Sequence, residues 1–377
     1  MLIKNAFILR ENFKFERGNI EFDRTISNFA SNFALETIDA QGMLLVPGLI
    51  DVHTHGAMGF DMGAPNAAAY QAMGEYYAEH GVTSFMLATM SMPKEQLRES
   101  LQTVADLMDE PHGAAYPHGI YLEGAFISGE KCGAHRAEFL LEPDRDLLEQ
   151  LLAAAKGYIK VVAVAPELKR ALPFIEAAAK DVVVTLGHTE ADYELTGKAI
   201  ELGATNATHL FNAMSPLSAR NPGVIGAVID NEKVFVEVIA DGVHLHKSII
   251  RLAFKVCGEN RMILISDSVP TVGLGAGTYN VGGREILAAA DCARGDDGTL
   301  LGSTLSLLDC VRKCREIGIP LEQAIKAASL NPARMLGVDK VTGSIGIGKA
   351  ADLVLLDRDL NVRMVFVKGR KVFSSPA

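Results

Sequence analysis

The chain has 377 residues, 49% hydrophobic and 22% charged, which gives room for roughly two or three domains or one large barrel with a small companion. Such a composition buries a large core and excludes both a disordered chain and a small disulfide scaffold. With 36 Lys and Arg against 46 Asp and Glu, the net charge of −10 offers no general attraction to nucleic acid or anionic membrane, although it permits a local basic pocket.

The first residues, MLIKNAFILRENFKFERG, lack the long apolar region and small-residue cleavage site of a signal peptide, and no run approaches the about 18 apolar residues of a membrane span. Residues 1–46 read as short strands: LIKNAFIL, GNIEF, then ALETIDA leading into MLLVPG. Residues 343–377 read the same way, as GSIGIGKAADLVLLD and NVRMVFVKGRKVF. Strands at both ends of a long middle predict one small β-sandwich assembled from the two termini.

The middle, residues 47–342, alternates short apolar runs with helical patterns. The runs are LLVPGLIDVHTH (44–55), TSFMLATM (83–90), GIYLEG (119–124), YIKVVAVAPE (158–167), DVVVTLGHT (181–189), ATNATHLF (204–211), VFVEVIADGVH (234–244) and MILISDSV (262–269). Between them lie segments such as NAAAYQAMGEYYAEHG, PKEQLRESLQTVADLMDE and PDRDLLEQLLAAAKG. Eight strands alternating with helices predict an α/β fold, a (β/α)8 TIM barrel. A doubly wound open sheet is the alternative, less apt because the polar residues gather at one end of the strands.

The runs stop at informative residues: His53-Thr54-His55, Glu123, His188, His209 and Asp267. On a strand, residues i and i+2 share a face, so His53 and His55 reach one centre. A single strand-end His or acid commonly packs or caps the next helix. Four imidazoles and two carboxylates at matching strand ends are costly to bury without a metal or dense hydrogen bonding. The expected ligand is a divalent ion, zinc first, with iron, manganese or cobalt as alternatives. His135 and His244 fall on the same side as substrate ligands, while His246 starts the next helix. His80, His112 and His118 are expected at the surface. GSIGIGKA (343–350) imitates a phosphate-binding loop, but Ala350 stands where a hydroxyl is needed and a strand follows. GLGAG (273–277) lacks GxGxxG spacing, so both are read as turns. Cys132, Cys257, Cys292, Cys310 and Cys314 are odd in number with no CxxC, which predicts reduced thiols and a cytoplasmic protein. Cys310 and Cys314 share one helix face as packing residues.

In succession, PGLIDVHTHG, YLEGAFIS-GEKCGAH, TLGHTEA, ATHLFNAMSPL, ADGVHLH, ISDSVPTVG and LLGSTLSLLDCVRK make a chain that resembles the N-acetylglucosamine-6-phosphate deacetylases of the amidohydrolase superfamily. The resemblance spans essentially the whole length and implies the same barrel and sandwich. It implies that Glu123, His188 and His209 hold a principal metal, that His53 and His55 hold a second, and that Asp267 is the acid/base. It assigns substrate binding to Ala134, His135, Asn212, Ala213, Arg220, His244, Leu300, Leu301 and Gly302. Arg220 would reach the phosphate from a neighbouring subunit, which implies a homodimer. YLEGAF stands where HLEGPF is commoner and ISDSVP replaces TDA, but neither change removes a ligand.

The implied reaction is metal-dependent hydrolysis of N-acetyl-D-glucosamine 6-phosphate to D-glucosamine 6-phosphate and acetate. N-acetylgalactosamine 6-phosphate is the nearest alternative. A cyclic imidase or dihydroorotase would use a modified lysine on strand 4, where this chain has Ala-Pro-Glu167. A silent scaffold barrel would have no use for six converging ligands.

Overall fold

A computed structural model describes residues 1–31, 34–111, 113–281 and 284–376. All eight apolar runs of the middle form strands: β1 (Leu49–Thr54), β2 (Val82–Ala88), β3 (Tyr116–Phe126), β4 (Ile159–Val164), β5 (Val183–Leu186), β6 (Ala204–Ala207), β7 (Phe235–Ile239) and β8 (Met262–Ile265). They lie side by side in chain order, every ladder parallel. The sheet closes where His55 N–H donates to Ser268 O at 2.8 Å and Asp267 N–H donates to His53 O at 3.0 Å. Strands covered on both faces read as unbroken apolar runs, which is why the runs between helical patterns located them.

Ile50, Val52, Met86, Tyr121, Val161, Ile239, Ile263 and Ile265 fill the inner face of the strands. A larger cluster lies between strands and helices. The helix Lys94–Asp109 shows how: Leu97, Leu101, Val104, Ala105 and Met108 recur at three or four residues and are its buried stripe. The N-terminal end of the barrel is plugged by the helix Leu330–Met335, where Asn331 Nδ2 donates to Met262 O at 2.7 Å. Only the opposite, C-terminal mouth is left to carry chemistry.

The terminal strands form one eight-stranded sheet, with Leu353–Leu356 paired to Leu44–Pro47 and Leu2–Leu9 beyond it. Phe22 and Phe366 stand four ladder steps apart, roughly 19 Å in a flat sheet, yet their ring centroids are 5.3 Å apart. The sheet therefore folds over itself into the expected sandwich, around Ile3, Ile8, Ile20, Leu45, Leu355 and Phe366. Only Gly48 separates Pro47 of this sheet from β1, and a Cβ there would sit 2.1 Å from Thr83 Oγ1.

One element was not anticipated. After β8 the chain forms a four-stranded antiparallel sheet, Gly277–Val281, Arg284–Ala288, Cys292–Gly295 and Leu300–Ser303, which is tied to the mouth by Ser303 N–H donating to Asp267 O at 2.9 Å. His118 also corrects the reading: it lies half-buried on β3, not at the surface, with Nε2 enclosed and without a hydrogen-bond partner. His80 ends the helix Ala67–Glu79 as expected but is half-buried, and His112 lies outside the described residues. His246 caps the helix Lys247–Cys257, Cys310 and Cys314 are fully buried on one helix, and residues 343–350 are turns. All five cysteines are free thiols. No helix among the described residues is long and apolar enough to cross a membrane.

Candidate metal-binding active site

Five of the eight strands contribute the site residues, at or near their C-terminal ends. β1 ends on His53-Thr54, with His55 next, and β3 runs three residues beyond Glu123. His188, His209 and Asp267 each lie two residues after β5, β6 and β8. These last three hold left-handed backbone, with φ of +48°, +24° and +48°, a conformation unfavourable for side-chain-bearing residues and concentrated at functional sites. Gly187, before His188, lies so close to β6 that a Cβ would sit 2.0 Å from Thr208 Cγ2.

Glu123 is the centre. Its Oε1 lies 3.3 Å from His188 Nε2 and 3.2 Å from His209 Nε2. Its Oε2 lies 3.2 Å from His53 Nε2, 3.3 Å from His55 Nε2 and 3.5 Å from His135 Nε2. Asp267 Oδ1 is 3.3 Å from His55 Nε2 and 3.8 Å from His53 Nε2. All six predicted ligand and acid/base residues are buried and converge. Glu167, at the end of β4, turns elsewhere and accepts from Thr189 Oγ1 and Glu190 N–H.

Second hydrogen bonds decide which nitrogens offer lone pairs. His188 Nδ1 is 2.7 Å from Lys131 O, which only accepts, so Nδ1 carries the proton. Its Nε2 lone pair then faces a carboxylate oxygen and, at 3.0 Å, His209 Nε2. His53 Nδ1 donates to Glu237 Oε2 at 3.3 Å, which turns the Nε2 lone pair onto Glu123. Lone pairs aimed at one another across about 3 Å repel unless a proton or a cation lies between them. The residues therefore fit a divalent metal held between Glu123 and the imidazoles around it.

His135 has the opposite tautomer. Its Nδ1 accepts from Ser91 N–H at 3.1 Å, so Nε2 carries hydrogen and serves as a donor, not a ligand, although it clusters with Glu123 and His188. Burial pushes its pKa down to about 4, which keeps the ring neutral. For Asp267, burial works against ionisation, but the His55 hydrogen bond and the surrounding imidazoles, His53 and His55 first, outweigh it and hold the carboxyl below its usual range. Burial likewise opposes a charged Glu123, and the surrounding imidazoles reverse it, His53 foremost. Burial opposes a charged His244 as well, but Asp241 Oδ2, 2.6 Å from its Nδ1, raises the pKa and favours the cation.

A cavity of about 270 Å³ opens over this centre. Ala134, His135, Asn212, Ala213, His244, Leu300, Leu301 and Gly302 all line it, beside His55, Glu123, His188, His209 and Asp267. Gly302 packs so tightly under the site that a Cβ would meet Asp267 O at 2.6 Å. Arg220 is the exception: it is exposed and outside the lining of its own cavity. Sequence reasoning missed Glu237, a carboxylate on β7 that also accepts from Thr208 Oγ1 at 2.9 Å, Asn206 Nδ2 at 2.5 Å and Tyr121 OH at 3.3 Å. Its sign in the sequence is a charged residue inside the apolar run VFVEVIA.

A parallel barrel with imidazoles and carboxylates at its C-terminal mouth is the architecture of metal-dependent amide hydrolases, and residues 44–372 match the model of the amidohydrolase family. The chain belongs to that family and is an enzyme of its amino-sugar-phosphate deacetylase branch. It is 36% identical over 333 residues to the N-acetylglucosamine-6-phosphate deacetylase of Vibrio furnissii, 88% of this chain and 83% of that one. It is also 36% identical over 331 residues to the N-acetylgalactosamine-6-phosphate deacetylase of Escherichia coli O157:H7, 87% of each. Its fold superposes with a TM-score of 0.91, at 31% identity and 99% coverage of both chains, on a mutant N-acetyl-D-glucosamine-6-phosphate deacetylase from Mycobacterium smegmatis solved with N-acetyl-D-glucosamine-6-phosphate.

Proposed function

We propose that this enzyme hydrolyses the acetamide of N-acetyl-D-glucosamine 6-phosphate, releasing acetate and D-glucosamine 6-phosphate. The observation that carries the reading is the convergence of Glu123, His55, His188 and His209 with Asp267 in one cavity also lined by His135 and His244, with His53 buried 3.2 Å behind Glu123. Glu123, His188 and His209 would hold a principal ion and His53 and His55 a second, with zinc suited to this nitrogen-rich set. A divalent ion held there would lower the pKa of water from 15.7 towards about 7 and so supply a nucleophile near neutral pH.

The rest is the work of the chain. Ionised Asp267 accepts the proton of the attacking water, and the His135 Nε2–H donates to the carbonyl oxygen as charge builds on it. Such a donor is worth about 3 kcal/mol. Asp267 then passes its proton to the departing nitrogen as the C–N bond breaks. His244, biased toward its cation by Asp241, suits the phosphorylated sugar, and the Leu300–Gly302 backbone borders the same space.

Arg220 would complete the phosphate site from a second subunit, since it is exposed and lies outside its own cavity. On this reading the protein is a homodimer. Division of the chain into a sandwich (1–46 with 343–377) and a barrel (47–342) belongs to the same proposal, as does the reducing cytoplasm that suits five free thiols.

Equal 36% identity to the Escherichia coli galactosamine enzyme favours a second reading, the C4 epimer of the same substrate. Acetate release measured side by side on the two phosphorylated sugars tests both. Turnover of neither would overturn the assignment.

A further inference from the structure

Beside the site cavity lies a second cavity of about 200 Å³ whose walls are largely apolar: Met92 and Pro93 after β2, Phe139, Val269 after β8, and Val281 and Ile286 of the inserted sheet. It shares His55, Met90, Ala134 and Leu301 with the site cavity, so the two spaces adjoin along those side chains. Its polar side chains are engaged locally: Gln96 Nε2 donates to Gly63 O at 3.0 Å, Asp61 Oδ1 accepts from Gly63 N–H at 2.9 Å, and Arg136 Nε donates to Glu138 Oε1 at 2.8 Å. The Met, Pro, Phe, Val and Ile side chains that make up most of the wall would meet an occupant by apolar contact.

The junction indicates which part of a substrate meets this space. His55 stands at the reacting end, with Nε2 3.3 Å from both Glu123 and Asp267. Asn212, Ala213 and His244, assigned above to the sugar phosphate, line the site cavity alone. A group extending from the carbonyl past His55 is therefore the substituent of the acyl carbon, not the sugar. An acetyl group offers one methyl there. The cavity is several times the roughly 30 Å³ share of a single water. Met90 and Met92 on its wall are unbranched side chains that adapt to occupants of differing length.

We propose that this cavity is an acyl pocket, and that the enzyme also hydrolyses amino-sugar phosphates carrying N-propionyl or N-butyryl groups. The inference rests on the deacetylase reading and deepens it. The reaction is the same hydrolysis: the amide C–N bond breaks, water oxygen bonds to the acyl carbon, the amine takes a proton, and propionate or butyrate leaves.

The test is amine release from N-acetyl-, N-propionyl- and N-butyryl-glucosamine 6-phosphate by the metal-loaded wild type and by two independent filling variants, Met92→Phe and Ile286→Phe. In the wild type, kcat/KM for the butyryl compound should lie within about tenfold of the acetyl value. Each variant should lower the butyryl value by about 10–200-fold, the range for a misfit of a methylene or so in an apolar pocket, and leave the acetyl value within about threefold. A wild type that cleaves the acetyl compound but handles butyryl more than about tenfold worse overturns the pocket and spares the deacetylase reading. Equal losses on all three compounds in both variants also overturn it. Turnover of none by the wild type refutes the deacetylase reading and the pocket with it.

Discussion

Glu237 Oε2 lies 3.3 Å from His53 Nδ1 inside the barrel, the two side chains wholly buried and held by Thr208, Asn206 and Tyr121. A carboxylate behind a metal-ligating imidazole fixes its tautomer and strengthens its basicity. Glu237→Gln keeps the shape but presents an amide that can donate to Nδ1 and so misdirect the His53 lone pair. Affinity for the ion at His53 and His55 should fall by about 10–100-fold, read by chelator competition, while the ion at Glu123, His188 and His209 is retained. Unchanged metal affinity at both positions would show that Glu237 only packs.

Asp267 is the group whose loss should separate chemistry from binding. Asp267→Asn preserves size and most contacts but removes the proton acceptor, so kcat should fall by at least about 10²-fold. Metal content, measured by elemental analysis, should stay near the wild-type value because Glu123 anchors the imidazoles. A variant with near-normal turnover would remove Asp267 from the reaction.

Much of this was legible because the barrel presents each informative residue at a strand end. The strand runs, the HxH spacing and the isolated Glu123, His188, His209 and Asp267 could all be read locally. Glu237 could not, since its meaning depends on Tyr121, Asn206 and Thr208 from two other strands. The inserted sheet was missed although Gly295-Asp296-Asp297-Gly298 is a turn signal between two short strands, CARG and LLGS. His118 was misplaced because β3 begins at Tyr116, three residues before the apolar run GIYLEG. Tautomers, which give His135 a donor Nε2 and His188 a free Nε2 lone pair, depend on Ser91 N–H and Lys131 O and leave no trace in spacing.

His118 makes stability depend on pH. Burial, helped by the Lys368 charge, lowers its pKa from 6.5 to about 4. Between those values the unfolded chain binds a proton that the folded chain refuses, so stability is whole above about pH 6.5 and declines as pH falls toward 4. The slope from this one group is at most about 1.4 kcal/mol per pH unit. His118→Gln should lose less stability than wild type between pH 7 and pH 5, compared by urea midpoints. Parallel losses in the two proteins would exclude His118 as an acid-sensitive site.

Arg220 tests substrate and assembly together. It follows HLFNAMSPLSA on the exposed loop after β6, ahead of the helix Gly223–Asp230, and lies outside the cavity lined by Asn212 and Ala213 of the same loop. A solvated loop arginine would be dispensable. A guanidinium donated to a phosphate across a subunit interface would not be, because its fork matches two phosphate oxygens and the contact is charge-assisted. Such a contact is worth roughly 1.5–3 kcal/mol, so Arg220→Ala should lower kcat/KM on the phosphorylated sugar by about 10–150-fold. N-acetylglucosamine without phosphate never makes the contact, and its slow turnover should barely change. Co-expression of Asp267→Asn with Arg220→Ala should restore part of the activity, since a hybrid dimer contains one site with both residues intact. Equal losses on the two sugars would give Arg220 a structural role, and failure of the hybrid to recover activity would place the phosphate contact within a single subunit.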